Sequence, residues 1–197
     1  MMRLIIPILL FVFVSCKRQD IAKLPAFSEN DFVNAVIEIP AGTNRKMIFD
    51  KEKNTFKQEI VSGTKRYIDY LPYPANYGFV PSTLMDTLND GDGDALDILV
   101  LGSHIPTANF IEVKPVAVLL LKDHGENDHK IISVPVNHKF QTIKAHTLDN
   151  LMTDYPTILD ILELWFLNYK GDNEMEVLGW GDEKQALEMI QKYEVKS

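Results

Sequence analysis

The first half of the chain alternates short apolar runs with clusters of turn residues, a pattern typical of β-strands. Four such runs, at residues 33–39, 46–49, 55–61 and 77–80, are separated by glycine, asparagine, serine and proline positions. Three more apolar runs follow at residues 95–101, 116–121 and 130–134. The run at 116–121 is apolar at every position, so we expect that strand to be almost entirely buried.

Beyond His146 the apolar spacing changes to that of an α-helix. One helical face contains Ile158, Leu159, Ile161, Leu162, Trp165 and Phe166. Pro156 suits the first turn of this helix, and Gly171 is expected to end it. A second helix is predicted from Asp182, as its N-cap, to Tyr193. The pattern therefore predicts a mainly β protein with some α-structure, namely a small β-barrel followed by two packed helices.

The N-terminus has the organisation of a signal peptide: Arg3, an apolar run over residues 4–14, and then Ser15 and Cys16. This run is about half as long as the ~20 apolar residues that a membrane-spanning helix needs. We therefore predict that residues 1–15 are removed as a signal peptide. The polar residues 16–30 are predicted to form a tether, and residues 31–197 a single globular domain.

Cys16 is the only cysteine in the chain, which excludes an internal disulfide. A small residue followed by cysteine at the end of an apolar run resembles the lipobox of bacterial lipoproteins. That resemblance implies acylation of Cys16 and an exported protein, held by lipid in the periplasm or cell envelope. Plain secretion and a buried free thiol remain as alternatives.

The chain carries a net charge of −8, with 20 basic and 28 acidic residues. This acidic balance argues against nucleic acid as a partner. An anionic substrate would have to be received through bound cations, because the chain itself repels it.

The strongest local signal is the acidic turn N-D-G-D-G-D-A-L-D at residues 89–97, which leads directly into an apolar strand. Two carboxylates about 4 Å apart repel by roughly 4 kcal/mol at an effective dielectric near 20, so a folded cluster favours a metal. A solvated acidic turn is the alternative interpretation. An EF-hand Ca²⁺ loop is rejected, because Ala95 and Leu101 stand where that loop needs glycine and glutamate.

A second acidic turn follows the buried run, with Asp123, Asp128 and Lys130 in order. Two acidic turns at the ends of neighbouring strands would be able to converge on two or more divalent cations. Lys130 adds a positive charge that a metal cage alone does not need. The second turn thus points to a site that also receives an anion.

Two further segments combine tyrosine with cationic side chains. The first is Y-P-A-N-Y-G at residues 73–78, preceded by Lys65-Arg66, and the second is Tyr169-Lys170 at the end of the first predicted helix. Either segment alone is equally consistent with a proline-stiffened turn or with a lysine near a helix C-terminus. Their joint occurrence favours recognition of phosphate oxygens.

Taken in chain order, these motifs resemble the family I inorganic pyrophosphatases along residues 36–193. The matching segments are V-I-E-I-P at 36–40, Lys46 with D-K-E at 50–52, residues 73–78, residues 92–97, Asp123 with Asp128 and Lys130, and finally Tyr169-Lys170 with Gly179-Trp180. The resemblance implies a small closed OB-like β-barrel flanked by two C-terminal helices. It also implies hydrolysis of pyrophosphate to two orthophosphates with several Mg²⁺ ions per site, and it leaves a homo-oligomer as an open possibility.

The resemblance implies a role for each matching residue. Asp92, Asp97 and Asp128 would hold the permanent metals, and Asp123 would join Asp128 around metal that arrives with substrate. Asp94 would be the general base. The residues that would bind the two phosphoryl groups are Lys46, Arg66, Tyr77, Lys130, Tyr169 and Lys170. Glu38 and Tyr73 would support the site.

Three positions depart from the family pattern. Ala95 replaces the usual Pro or Glu, His124 replaces an acid, and Ile48 stands where the family has Glu. The arginine assignment is open by one residue, because Lys65 precedes Arg66. The other four histidines lack metal-ligand spacing and are interpreted as surface or structural residues.

Two other functions compete with pyrophosphate hydrolysis. A metal-dependent phosphohydrolase would act on another phosphoanhydride, such as a nucleotide. A non-catalytic envelope lipoprotein would bind Ca²⁺ through the acidic turns, and it would need neither a base at Asp94 nor the lysine and tyrosine set.

Overall fold

A computed structural model describes residues 20–89, 91–171 and 174–195 of the 197-residue chain. The predicted signal peptide, Cys16 and Asp90 lie outside the described residues. Within those residues, no helix is long and apolar enough to cross a membrane.

The strands occupy these ranges: β1 (Val33–Ile39), β2 (Met47–Asp50), β3 (Thr55–Gln58), β4 (Ile60–Val61), β5 (Thr64–Lys65), β6 (Asn76–Phe79), β7 (Asp97–Val100), β8 (Phe110–Asp123), β9 (Glu126–Asn127), β10 (Lys130–Pro135) and β11 (Met175–Asp182). Five of them pair in the order β1-β6-β7-β10-β8, and β8 pairs again with β1. All of these pairs are antiparallel except β7–β10, which is parallel. The pairings therefore close into a ring, and the predicted small β-barrel fold class is confirmed.

The barrel wall is apolar on both faces, which explains the runs without alternation in the sequence. Neighbouring positions of one strand belong to different core clusters: Leu99 of β7 packs in one, and Ile98 and Val100 pack in the other. In β8, Leu119 packs in the same cluster as Leu99, and Val118 packs in the same cluster as Ile98 and Val100. Each face of the wall is thus available to bury a helix.

Strand β8 is the longest element, and it pairs with β1, β10, β9 and β11. Strand β11 extends the sheet beyond the ring, and the sequence pattern did not predict it. Gly179 and Gly181 lie inside β11, and the strand carries a register shift between Val177 and Gly179. Glycines are poor strand residues, so only pairing with β8 accounts for this strand.

The predicted strand over residues 55–61 is divided in two. Its first half, β3, pairs with β2, and its second half, β4, pairs with β5. At the break, the amide of Glu59 donates to the carbonyl of Lys46 at 2.8 Å, and the amide of Arg66 donates to the carbonyl of Glu59 at 2.9 Å. The break therefore brings the β4–β5 hairpin next to the start of β2.

Three helices follow the barrel: α1 (Leu148–Asp154), α2 (Ile158–Asn168) and α3 (Glu183–Tyr193). The short helix α1 was not predicted; it begins at Thr147, whose side chain accepts from the Asn150 amide at 3.1 Å. Helix α2 ends at Asn168, three residues before Gly171, and α3 begins after Asp182 as predicted. Helix α2 packs in one core cluster and α3 in the other, so both predicted C-terminal helices flank the barrel.

Residues 20–30, which we assigned to the tether, pack against the barrel. Leu24 and Ala26 are buried, and the Asn34 side chain donates to the carbonyl of Pro25 at 3.0 Å. A free tether would leave these apolar side chains in water. Residues 20–30 therefore pack as part of the folded domain rather than as a free tether.

Candidate active site

The two acidic turns meet at one edge of the barrel, where parallel strands β7 and β10 begin. Asp97 opens β7 and Lys130 opens β10, and these two residues are register partners. Asp123 ends the neighbouring strand β8, and Gly91 forms a bridge with Asn127. Strand pairing thus brings the 91–97 turn against the 123–130 turn, as the sequence predicted.

A buried ammonium group lies between two of the carboxylates. Lys130 is 2% exposed, and its Nζ donates to Asp97 Oδ2 at 2.6 Å and to a carboxylate oxygen of Asp128. Burial lowers the pKa of Lys130, but the two negative charges outweigh it, so the net pKa is raised and the lysine stays charged. The Tyr77 hydroxyl also donates to Asp97 Oδ2, at 2.5 Å.

The first acidic turn is held by its own backbone. The amide of Asp94 donates to Asp92 Oδ1 at 2.9 Å, and the carbonyl of Asp94 accepts from the Met85 amide at 2.8 Å. Gly93 adopts φ +82°, a backbone conformation that residues other than glycine rarely adopt. The carboxylates of Asp92 and Asp94 are therefore carried on a fixed turn rather than on a loose loop.

Asp123 faces Lys170 across the site. Lys170 Nζ contacts Asp123 Oδ2, while Asp123 Oδ1 is buried and makes no hydrogen bond within the described residues. The imidazole of His124 lies near this oxygen, with Nε2 at 3.8 Å from Oδ1. A buried carboxylate oxygen without a donor is costly, and a ligand such as a cation would satisfy it.

The tyrosines form an aromatic stack behind and beside these charges. Trp165 lies parallel to Tyr169 with ring centroids 4.6 Å apart, and Tyr73 contacts Trp165 at 4.5 Å and Tyr77 at 5.1 Å. Burial raises the pKa of Tyr73, Tyr77 and Tyr169 above the ordinary tyrosine value. Their hydroxyls therefore stay protonated and can donate hydrogen bonds to an anion.

Two cationic side chains come from the hairpins. Lys46 Nζ lies 4.8 Å from the centre of the Tyr77 ring, and Arg66 Nη1 pairs with Glu59 Oε2 at 2.8 Å. Arg66 lines the cavity, whereas Lys65 is exposed and is not among its lining residues. Of these two residues, Arg66 is therefore the one whose position at the cavity fits the predicted role.

Glu38 on β1 is buried beside this cluster. Its Oε1 accepts from the Phe49 amide at 2.6 Å, and only 9% of the residue is exposed. Burial raises the pKa of Glu38 to about 7, although Lys46 and the Phe49 amide favour the charged form. Glu38 therefore links β1 to β2, the strand that follows Lys46.

A cavity of about 370 Å³ joins these groups. Eleven of the predicted site residues line it: Glu38, Lys46, Arg66, Tyr77, Asp92, Asp94, Asp97, Asp123, Asp128, Tyr169 and Lys170. Tyr73 and Lys130 lie behind it, buried, so Lys130 contacts carboxylates in this arrangement rather than facing the cavity. Glu59 and Lys51 also line it, and sequence reasoning missed both. No local signal marks Glu59, because its position depends on the break between β3 and β4.

The lining is dominated by hard oxygen donors. Among the described residues it contains seven carboxylates and four cationic side chains, so this lining is acidic overall. No three acidic or histidine side chains converge into a ready metal cage among the described residues. The chemistry of the set nevertheless fits Mg²⁺, which takes one or two carboxylates at a time and keeps several waters. The buried Asp123 Oδ1 supports the same conclusion.

A small cavity at the edge of the closed barrel combines carboxylates with lysine, arginine and tyrosine side chains. These are the groups of a phosphate-binding site that works with metal ions. A family model described as inorganic pyrophosphatase matches residues 35–196. Over 173 residues the chain is 34% identical to an inorganic pyrophosphatase of Saccharolobus solfataricus, spanning 85% of this chain and 93% of that protein. A Synechocystis inorganic pyrophosphatase is 32% identical over 177 residues, which cover 88% and 96% of the two chains.

The fold is likewise similar to solved structures. The inorganic pyrophosphatase of Thermus thermophilus superimposes with a TM-score of 0.75 at 27% identity, over 89% of this chain and 97% of that one. The Helicobacter pylori inorganic pyrophosphatase superimposes with a TM-score of 0.69 at 29% identity, over 87% of this chain and 96% of that one. This chain belongs to the inorganic pyrophosphatase family.

The buried Glu38 makes stability depend on pH. The pKa of Glu38 is about 7 in the folded protein against 4.5 ordinarily. The contribution of this carboxyl group to folding stability is therefore present below pH 4.5 and is lost as the pH rises towards 7. Glu38→Gln keeps an acceptor for the Phe49 amide and cannot ionise. The free energy of unfolding of the variant minus that of wild type should therefore rise by about 3 kcal/mol from pH 5 to pH 8.

Urea unfolding of both proteins at the two pH values, with a chelator present, measures this difference. Taking the difference between the proteins cancels the titration of all other groups. A pH-independent difference would show that Glu38 titrates normally.

Proposed function

We propose that this protein hydrolyses inorganic pyrophosphate to two orthophosphates. The observation that supports the proposal is the convergence of both acidic turns and of the lysine, arginine and tyrosine set on one cavity of about 370 Å³. This volume is at the small end of ligand pockets, which suits a compact anion. An acidic cavity receives such an anion only together with cations.

The carboxylates are proposed to hold Mg²⁺ ions, with Asp92, Asp97 and Asp128 as permanent ligands and Asp123 joining when substrate binds. When bound, the ions supply charge neutralisation and acidify water at neutral pH. Lys130 fixes the orientation of Asp97 and Asp128 by contacting both. Tyr77 adds a hydrogen bond to Asp97 from the other side.

The remaining side chains are proposed to act on the substrate and on water. Asp94 takes a proton from the attacking water through its carboxylate. The protonated hydroxyl of Tyr169 donates to a phosphoryl oxygen, and Tyr77, whose single hydroxyl proton is donated to Asp97 here, would do so once a cation occupies that carboxylate. Lys46, Arg66 and Lys170 stabilise the charge that develops on the leaving phosphate. Lys170 and Arg66 are now paired with Asp123 and Glu59, so they are already held at the cavity wall.

The proposal predicts fast release of phosphate from pyrophosphate with Mg²⁺ and little release from ATP. Ca²⁺ should inhibit, because its longer and looser coordination misplaces water. A phosphate assay on the purified protein with both substrates and both metals measures this. Equal rates on the two substrates, or no reaction with Mg²⁺, would contradict the proposal.

Two aspartate variants provide the controls. Asp94→Asn should keep Mg²⁺ binding but lower kcat by about 10² to 10⁴, the usual contribution of a general base. Asp97→Asn should lose tight Mg²⁺ binding, because it removes a charge that Lys130 and Tyr77 hold in place. Calorimetry separates the two cases, and full turnover by Asp94→Asn would show that another group is the base.

Two of the departures from the family, Ile48 and Ala95, line the cavity, and Ile48 is the one that replaces a carboxylate of the family pattern. It lines the cavity together with Lys46, whereas Met47 packs against a core cluster. An alkyl group at this position can neither bind metal nor orient its water. Ile48→Glu should therefore lower the Mg²⁺ concentration for half-maximal rate by about tenfold, the scale of one supporting contact at a metal site.

Ile48→Gln serves as the matched control, since it adds a polar group of similar size without charge. Mg²⁺ titrations of the three proteins decide the case. An unchanged or higher Mg²⁺ requirement in folded Ile48→Glu would mean that Ile48 has only a packing role.

We also propose export and lipid anchoring at Cys16, on the sequence pattern of residues 1–16. Cys16→Ser should release the protein from the membrane fraction without changing its specific activity, because the catalytic cavity is lined by residues from Glu38 onward. Fractionation and fatty-acid labelling in a bacterial host measure this. A wild-type protein that is soluble and unlabelled would instead support plain secretion.

A further inference from the structure

Residues 20–27, here called the N-terminal strap, pack behind the first acidic turn. Leu24 is 6% exposed and belongs to one buried cluster with Val36, Phe79 and Ala95. Ile21 packs against the same cluster, as do Phe49 and Phe56 of the β2–β3 hairpin. The strap is thus in apolar contact with the layer that includes Ala95, the residue directly after Asp94.

Hydrogen bonds tie the strap to two separate elements. The Ile21 amide donates to Asn54 Oδ1 at 3.1 Å, in the turn between β2 and β3. The Ser82 hydroxyl donates to the carbonyl of Leu24 at 2.8 Å. The strap therefore connects the hairpin that follows Lys46 with the segment at residues 82–85.

That segment in turn supports the acidic turn. The Met85 amide donates to the carbonyl of Asp94, and the Gly93 amide donates to the carbonyl of Met85, both at 2.8 Å. Thr83 Oγ1 accepts from the Leu96 amide at 2.9 Å. Each of these bonds fixes the backbone on one side of Asp94.

The strap itself stays outside the catalytic cavity. Phe49, Lys51, Phe79 and Ala95 line both that cavity and a second cavity beside the strap. None of the described residues that line the catalytic cavity comes from the strap. An effect of the strap on the reaction is therefore indirect, through these four side chains and the 82–85 segment.

We propose that the N-terminal strap is a positioning element, which holds the turn carrying Asp92, Asp94 and Asp97 in place against the hairpin that follows Lys46. This inference rests on the pyrophosphatase activity proposed above. Misplacement of a catalytic group by a fraction of an ångström costs rate without weakening general binding. The strap should accordingly affect kcat and Mg²⁺ affinity more than KM.

The test compares two leucine truncations in the full-length protein. Leu24→Ala removes the strap contact, and Leu151→Ala removes a fully buried leucine of α1 that belongs to a different core cluster from Leu24 and Ala95. Both leave a cavity and lower stability. At a temperature where circular dichroism shows both folded, Leu24→Ala should lower kcat about tenfold with KM changed less than about twofold, and should weaken Mg²⁺ binding about threefold in calorimetry. Leu151→Ala should match wild type in all three.

Ser82→Ala is the second variant, in case Leu24→Ala does not fold. It removes only the bond to the Leu24 carbonyl, and it should move kcat and Mg²⁺ affinity in the same direction by a smaller factor. The positioning role would be overturned if Leu24→Ala and Leu151→Ala had equal kcat and equal Mg²⁺ affinity. If Leu24→Ala is unfolded, equal values in Ser82→Ala and wild type would overturn it. If wild type itself releases no phosphate, the proposed function fails, and the calorimetric comparison alone then decides the role of the strap.

Discussion

The contact of the Lys130 ammonium with Asp97 and Asp128 is the interaction on which this site depends. Strands β7 and β10 begin side by side, so their register brings two carboxylates to the same buried edge. Removing such charges from water costs several kcal/mol per ion unless a partner of opposite charge is in contact. Lys130 supplies that partner from within the strand pair, and the barrel can therefore close around an acidic site.

The surrounding side chains follow from the same electrostatic constraint. Tyr77 donates to the carboxylate that Lys130 also contacts, and Lys170 contacts Asp123 across the cavity. Burial keeps the tyrosine hydroxyls protonated. The cavity thus divides its roles by side-chain type: carboxylate oxygens are ligands for cations, and lysine, arginine and tyrosine side chains donate hydrogen bonds to an anion. This division explains how a chain of net charge −8 can bind a highly charged anion.

The scaffold behind the site is built from distant parts of the chain. The N-terminal strap bonds to residue 82, and the Val195 amide near the C-terminus donates to the carbonyl of the same residue, Ser82, at 2.8 Å. Both ends of the described chain therefore brace the segment next to the acidic turn. A turn that carries three carboxylates gains little stability from its own contacts, since its charges repel. In this fold, contacts from the two ends of the described chain stabilise the segment that holds the turn.

The sequence by itself determined most of the barrel strands, the helices α2 and α3, and the residue types around the cavity. Apolar periodicity predicted β1, β8 and β10 and the apolar faces of α2 and α3, because burial follows directly from side-chain hydrophobicity. Motifs in chain order identified the residues around the cavity. Tertiary structure alone decided that β11 is a strand, that Glu59 lines the cavity beside Arg66, that Lys130 lies behind it, and that residues 20–30 belong to the folded domain. Each of these depends on pairing or packing between residues far apart in the chain, which no local pattern records.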